Sequence, residues 1–264
     1  MKQRIVTGVI AGIVFITFLV LGGYAYAGLI LLLSIIGYKE FIQMNGYQKF
    51  KASSWVGLIA LLLLAIPWQT DDYSISLDST AVIWIAMFVL LSITVASKNA
   101  ITIDQISVIL MGSIYIGIGF HYMISTRMPE DGLFWTILIF VCIWGSDSGA
   151  YFVGSKLGKH PLWPQISPKK SIEGSLGGVV ISILIAVAFA LYAPELLSIP
   201  TALLLGLVIA VVGQLGDLIQ SAYKRVKGIK DTGTLLPGHG GVLDRVDSWL
   251  IVFPAIHWLG LIPY

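Results

Sequence analysis

Apolar residues run through this chain in nine long stretches separated by short polar segments, near residues 5–22, 24–42, 53–68, 80–97, 106–124, 132–153, 174–193, 199–222 and 246–262. A bilayer core about 30 Å thick takes roughly 20 residues of helix, so each stretch approximates one transmembrane helix. The third is the shortest, and Pro67 near its end stops or kinks it. Gly8 and Gly12, four residues apart, suit close helix packing. The pattern predicts an all-α integral membrane protein, a polytopic bundle of about nine transmembrane helices forming a single membrane domain over 1–264. Its N-terminal spans occupy 1–130, and the half 131–264 carries the polar loops 154–173 and 223–245. No repeat with a period of about 20–50 residues interrupts the pattern.

Composition supports this class. The chain is 57% hydrophobic and 11% charged, with a mean hydropathy of +0.89. A formal charge of +2 in short basic clusters argues against nucleic acid as a partner. Cys142 is the one cysteine, so an intrachain disulfide is impossible; it reads as a small core residue. All but one of the sixteen Lys and Arg residues fall in alternate segments between the stretches, and Arg127 is the exception. The positive-inside rule then places the N-terminus and the 39–52, 98–105, 154–173 and 223–245 segments in the cytoplasm, and the C-terminus outside. Lys2, Arg4 and the following apolar run resemble a signal peptide, but the run is long and a second stretch follows at once, so it reads as a retained anchor. The expected location is the cell membrane, multi-pass.

Two carboxylates fall inside apolar stretches, where a charge costs at least a few kcal/mol: Asp147 in WGSDSGAYFVG and Asp217 in VVGQLGDLIQSAYKR. Gln214, Asp217, Ser221 and Lys224 follow at intervals of three, four and three, which is one helical stripe. Asp244, Asp247 and Ser248 open the ninth stretch with similar spacing, so a hairpin of the last two helices would bring their carboxylates toward Asp217. Clustered carboxylates without His or Cys at ligand spacing favour a hard cation such as Mg²⁺. Lys224, Arg225, Lys227, Lys230 and Arg245 add positive charge, and the turn Pro237-Gly238-His239-Gly240-Gly241 lets backbone approach an anion. The same basic residues also suit simple anchoring at the cytoplasmic face. A second anion-binding candidate is SPKKSIEGSLGG, where Lys169, Lys170 and Ser171 precede a glycine-rich helix start. His239 is a candidate acid, base or phosphate donor, and equally a loop residue. P-loop, zincin and serine-hydrolase motifs are absent from the sequence.

Ser221, Lys224, Arg225, Lys230, Asp231, Gly233, Pro237, His239, Gly240, Gly241, Asp244, Arg245 and Asp247 together resemble the C-terminal motif of phosphatidate cytidylyltransferases, the CDP-diacylglycerol synthases. The GSDSGAYFVG and SPKKSIEG segments and Gln214 to Asp217 resemble family elements in the same order, while Tyr223 stands where an aliphatic residue or Phe is usual. The resemblance implies transfer of cytidylate from CTP to phosphatidic acid at the cytoplasmic face. It implies Mg²⁺ held by Asp217 and Asp244, K⁺ as a second cation, and a homodimeric helical membrane protein. Asp247, Lys224 and Arg245 would complete the catalytic set. Asp147, Lys169, Lys170, Ser171, Gln214, Ser221, Arg225, Lys230, Asp231, His239, Gly240 and Gly241 would contact substrate. A rival acceptor is another lipid phosphate, such as an ether lipid. A cation-coupled transporter predicts midplane acids and inverted repeats, and this sequence has neither.

Overall fold

The computed structural model describes residues 2–47, 51–70, 73–74, 77–235, 238 and 240–263. Helices occupy the apolar stretches: α1 (Lys2–Leu21), α2 (Gly23–Met44), α3 (Ala52–Ala65), α4 (Ser79–Ala96), α5 (Ile103–Arg127), α6 (Gly132–Leu157), α7 (Ile172–Tyr192) and α8 (Ile199–Val226). Two short helices follow, α9 (Leu243–Val246) and α10 (Trp249–Trp258). Two antiparallel hairpins complete the described structure. One pairs β1 (Gln69–Thr70) with β2 (Tyr73–Ser74); the other pairs β3 (Pro161–Trp163) with β4 (Ser167–Ser171), in register Pro161 to Ser171 and Trp163 to Ser167.

Among the described residues, six helices are long and apolar enough to cross a membrane: α2, α4, α5, α6, α7 and α8. Side-chain size explains why they pack while remaining greasy outside. On α7 the residues turned inward are Gly174, Gly178, Ser182, Ala186 and Ala190, four apart and small. Leu176, Val180, Leu184 and Leu191 on the same helix are exposed. Large apolar residues outside and small ones inside is the arrangement of a helix solvated by lipid tails, where close backbone approach replaces the hydrophobic effect as the packing force. These features make the chain a helical, multi-pass membrane protein.

Two elements differ from the expected full-length spans, each for a local reason. α3 stops at Ala65 because Ile66 precedes Pro67 and takes the extended conformation that a following proline favours. The stretch 246–262 is not one continuous helix. The chain breaks at Asp247-Ser248, where the Ser248 hydroxyl donates to the Gly213 carbonyl of α8 at 3.0 Å. Only ten residues of helix follow, with Pro254 among them, rising about 15 Å, or half a bilayer core.

The chain divides into two compact units, Met1–Met128 with Asp231–Arg245, and Pro129–Lys230 with Val246–Tyr264. In the first, α2, α3 and α5 share a buried core in which Tyr38 donates to the Ser54 carbonyl at 3.1 Å and Ser113 to that of Gly57 at 2.7 Å. Arg127, at the end of α5, donates to the Leu19 and Val20 carbonyls at the end of α1, at 2.8 and 3.2 Å. In the second unit α6, α7 and α8 pack together, and the β3–β4 hairpin leads into α7.

Candidate functional site

The stripe on α8 forms as its spacing requires. Its buried residues continue Ala202, Leu205, Gly206, Ile209, Ala210 and Gly213, and at Gln214 the same face turns polar. Asp217 lies eighteen residues beyond Ile199, about 27 Å along the helix, close to the thickness of a bilayer core. A helix crossing the bilayer from Ile199 would therefore bring the polar end of the stripe to the far membrane boundary and not to the midplane.

Asp217 is the hub of the second unit's polar cluster. Its Oδ2 pairs with the Lys170 ammonium at 2.5 Å, and its Oδ1 accepts from the Ser221 hydroxyl at 3.1 Å. The two side chains of the ion pair are 30% and 33% exposed, so solvent screens them. Gln214 ties three helices together: its Nε2 donates to the Ser175 carbonyl at 3.1 Å and the Ser146 hydroxyl at 3.4 Å, and its Oε1 accepts from the Ser175 hydroxyl. Asp147 on α6 and Asp247, in the turn between α9 and α10, both interact electrostatically with Asp217. Burial, then the negative charge of Asp217, pushes the Asp247 carboxyl up to about 7; Lys224 partly offsets this. Arg225 donates from Nε to the Ile166 carbonyl at 3.2 Å, which fastens the hairpin to the end of α8. Ser171 caps α7, accepting from the Gly174 amide at 3.1 Å, and Lys169 is exposed on β4.

Asp244 belongs to the first unit and is bonded differently. It is 9% exposed, and its Oδ2 accepts from the Thr232 amide at 2.7 Å, the Thr232 hydroxyl at 3.0 Å and the Gly241 amide at 2.9 Å. Gly240, at φ +84°, provides the left-handed turn that brings the chain back onto this carboxylate, and a Cβ there would lie 2.5 Å from Oδ2. The Gly241 amide, expected to face an anionic ligand, is thus held inside the loop by Asp244. Lys230, Asp231 and Arg245 are exposed. His239 and Pro237 lie outside the described residues.

Two features escaped the sequence reading. Glu40, 5% exposed on α2, accepts from the Val242 and Leu243 amides at 2.9 Å each. The signal was available, because Glu40 is an acid within the 24–42 stretch, as Asp147 and Asp217 are within theirs. Glu173 accepts from the Lys159 and His160 amides at 3.1 and 3.2 Å and meets His160 Nδ1 at 2.6 Å, closing the ends of the hairpin.

Among the described residues, no group of three or more His, Cys, Asp and Glu side chains is arranged to hold a metal ion. The donor chemistry nonetheless fits Mg²⁺, which needs only one or two carboxylates and completes its shell with water and phosphate oxygens. Asp217 offers an oxygen whose partner is a replaceable lysine, with the carboxyl groups of Asp147 and Asp247 close enough to interact with it.

Comparison with known proteins adds a second line. A family model described as the cytidylyltransferase family matches residues 2–262. The chain is 44% identical over 264 residues to a phosphatidate cytidylyltransferase of Bacillus subtilis, covering 98% of this chain and 97% of that protein. It is 38% identical over 259 residues to one of Staphylococcus haemolyticus and 36% identical over 259 residues to one of Staphylococcus aureus, each covering 98% of both chains.

Proposed function

The chain belongs to the cytidylyltransferase family, and on that premise we propose that it transfers cytidylate from CTP to phosphatidic acid, giving CDP-diacylglycerol and pyrophosphate. The observation that carries this beyond the family match is the Lys170–Asp217–Ser221 cluster at the polar end of α8, with Asp147 and Asp247 beside it. Cation and carboxylate sit together at the end of a membrane-length helix, which supports a site at the level of a lipid phosphate.

A phosphatidate oxygen is already an anionic nucleophile. It forms the new bond to the α-phosphorus of CTP as the bond to the β-phosphate oxygen breaks, and pyrophosphate leaves with the electron pair. No side chain needs to remove a proton or form a covalent intermediate. The protein's task is to hold two polyanions in line and to neutralise charge on the transferring and leaving groups.

Asp217 is assigned to Mg²⁺, with Asp147 and Asp247 beside it; Asp244 is the second carboxylate the family resemblance gives to the metal. Bound Mg²⁺ would supply neutralisation of the triphosphate and the departing pyrophosphate. Lys170, Lys224 and Arg245 bind phosphate, with Lys169 and Lys230 at the exposed approach. Gln214 and Ser221 orient the α8 stripe, Ser171 and Arg225 hold the hairpin that presents Lys170, and Asp231, Gly240 and Gly241 shape the 231–245 loop. The active site faces the cytoplasm, where CTP is available, and the working form is a homodimer with K⁺ as a second cation.

Purified protein given CTP, phosphatidic acid and Mg²⁺ is expected to release pyrophosphate and form CDP-diacylglycerol. Absence of both products with folded protein in phosphatidate-containing vesicles overturns the assignment. Omission of Mg²⁺ or K⁺, and the particle mass in detergent, test the ions and the dimer separately.

A further inference from the structure

Glu40 has no part in the chemistry above, yet the 231–245 loop is built around it. Its two oxygens take consecutive peptide N–H groups, Val242 on Oε1 and Leu243 on Oε2, both at 2.9 Å. The Thr232 hydroxyl lies 3.3 Å from Oε2 and 3.0 Å from Asp244 Oδ2, sharing its single proton between the two carboxylates. Two glycines of the loop make room for it: a Cβ at Gly233 would sit 2.6 Å from Oε1, and one at Gly241 would meet Oε2. Side chains at 233 and 241 would therefore push the loop away.

Packing does not require a glutamate here, since a leucine or glutamine fills a similar volume and a buried carboxylate is costly. What only a carboxylate supplies is two equivalent acceptor oxygens. Glutamine has one, and its amide would place N–H groups against a backbone N–H.

Resting on the functional reading above, we propose that Glu40 is a positioning residue for cytidylate transfer. It ties both ends of the 231–245 loop, through Thr232 and through Val242 and Leu243, to helix α2. It thereby fixes Asp244 and the Gly240-Gly241 turn for nucleotide binding. Glu40 touches no reacting atom; it acts through Asp244 and the loop backbone.

The test uses the full chain in phosphatidate-containing vesicles. Glu40→Gln should raise the KM for CTP by about tenfold, the equivalent of one charge-assisted hydrogen bond, with the KM for phosphatidate within about twofold of wild type. Hydrogen exchange at the Val242 and Leu243 amides should accelerate while amides in the middle of α2 stay protected. Glu40→Asp, which keeps a carboxylate, should fall between wild type and Gln. Thr232→Val leaves α2 untouched and should move the CTP KM in the same direction by less, which covers the case of a Glu40 variant that does not fold. A structural role alone lowers the amount of active enzyme, and so Vmax, at unchanged KM. That result, or a Glu40→Gln variant with wild-type KM and exchange, overturns the positioning role alone. A wild-type protein that makes no CDP-diacylglycerol overturns the functional reading and the positioning role with it.

Discussion

Asp217 and Asp244 are the two carboxylates proposed for Mg²⁺, one in each compact unit, and the protein holds them in opposite ways. Asp217 is bound by side chains, Lys170 and Ser221, at a site one-third exposed. Asp244 is buried, and its Oδ2 accepts from the peptide N–H groups of Thr232 and Gly241. A lysine can swing away when a cation or phosphate arrives, whereas a peptide N–H moves only if the backbone does. The contrast teaches that one carboxylate is built for exchange of partners and the other for shape. On the proposed function, Asp217 would trade its ammonium for a metal while Lys170 turns to phosphate; Asp244 also organises the loop that carries it.

Substitution should therefore separate them. Asp217→Asn removes the charge at the exchanging site and is expected to lower pyrophosphate release by about a thousandfold or more, in the range seen when metal or transition-state charge stabilisation is lost. Its thermal midpoint should stay near that of wild type, because a partly exposed ion pair contributes little to stability. Asp244→Asn should also abolish release, and in addition should destabilise the protein by about 1–3 kcal/mol, because a neutral amide oxygen then replaces the charged acceptor of three buried donors. Equal midpoints for the two variants, read by intrinsic fluorescence in detergent, would erase the distinction.

Asp247 extends the comparison to pH. Its carboxyl is raised from the ordinary aspartate range to about 7, so the folded state resists ionising it. In the metal-free protein this weakens the fold progressively as pH rises from about 4 to about 7, and the penalty is constant above that. Asp247→Asn should therefore gain stability at pH 8 relative to wild type, by a few kcal/mol at most, and lose that advantage near pH 4. Such a gain alongside lost transfer marks a group kept for function at a cost in stability. A variant less stable than wild type at pH 8 shows instead that the Ser248 amide on Asp247 Oδ1 governs the turn.

Most helices were legible because lipid demands long apolar runs, and the alternation of Lys and Arg counts is a property of the sequence itself. The polar stripe on α8 was legible for a similar reason, since Gln214, Asp217 and Ser221 share a face by periodicity alone. The break before α10 was not. Hydropathy registers side chains, whereas that break is fixed by Ser248 bonding to a carbonyl 35 positions earlier. Glu40 was missed because it follows Lys39 at the edge of an expected cytoplasmic segment, where a charge looks ordinary. Its bonded partners lie 192 to 203 residues away, beyond any local pattern. The amides of the glycine-rich turn were read as free for an anion, and the structure gives that of Gly241 to the protein's own Asp244.

A smaller effect sharpens the role of the hairpin. Ser171 adjoins Lys170 and caps α7. Ser171→Ala should cost about 1 kcal/mol, the usual value of a lost N-cap, and Ser171→Asp should restore it. If the residue serves only as a cap, transfer recovers with stability in the Asp variant. If its hydroxyl also contacts substrate, the Asp variant stays impaired because it adds negative charge beside bound phosphate.

The smallest effect concerns the residue that breaks the charge pattern. Arg127 is the one basic residue outside the alternate segments, and its guanidinium sits on the Leu19 and Val20 carbonyls, the orphan acceptors at the end of α1. A cation there also meets the negative end of the helix dipole. The placement answers a local need for capping, so it does not oppose the topological rule that the other fifteen follow. Arg127→Met should then cost about 0.5–1 kcal/mol and leave both transfer and orientation unchanged. Lysine, with one flexible ammonium in place of a planar fork, should recover part of that. The measurement is labelling of single cysteines placed in the 98–105 and 154–173 segments, in intact and in permeabilised cells. An inverted labelling pattern in Arg127→Met would show that this arginine sets orientation after all; an unchanged pattern with a lower thermal midpoint assigns it to the end of α1.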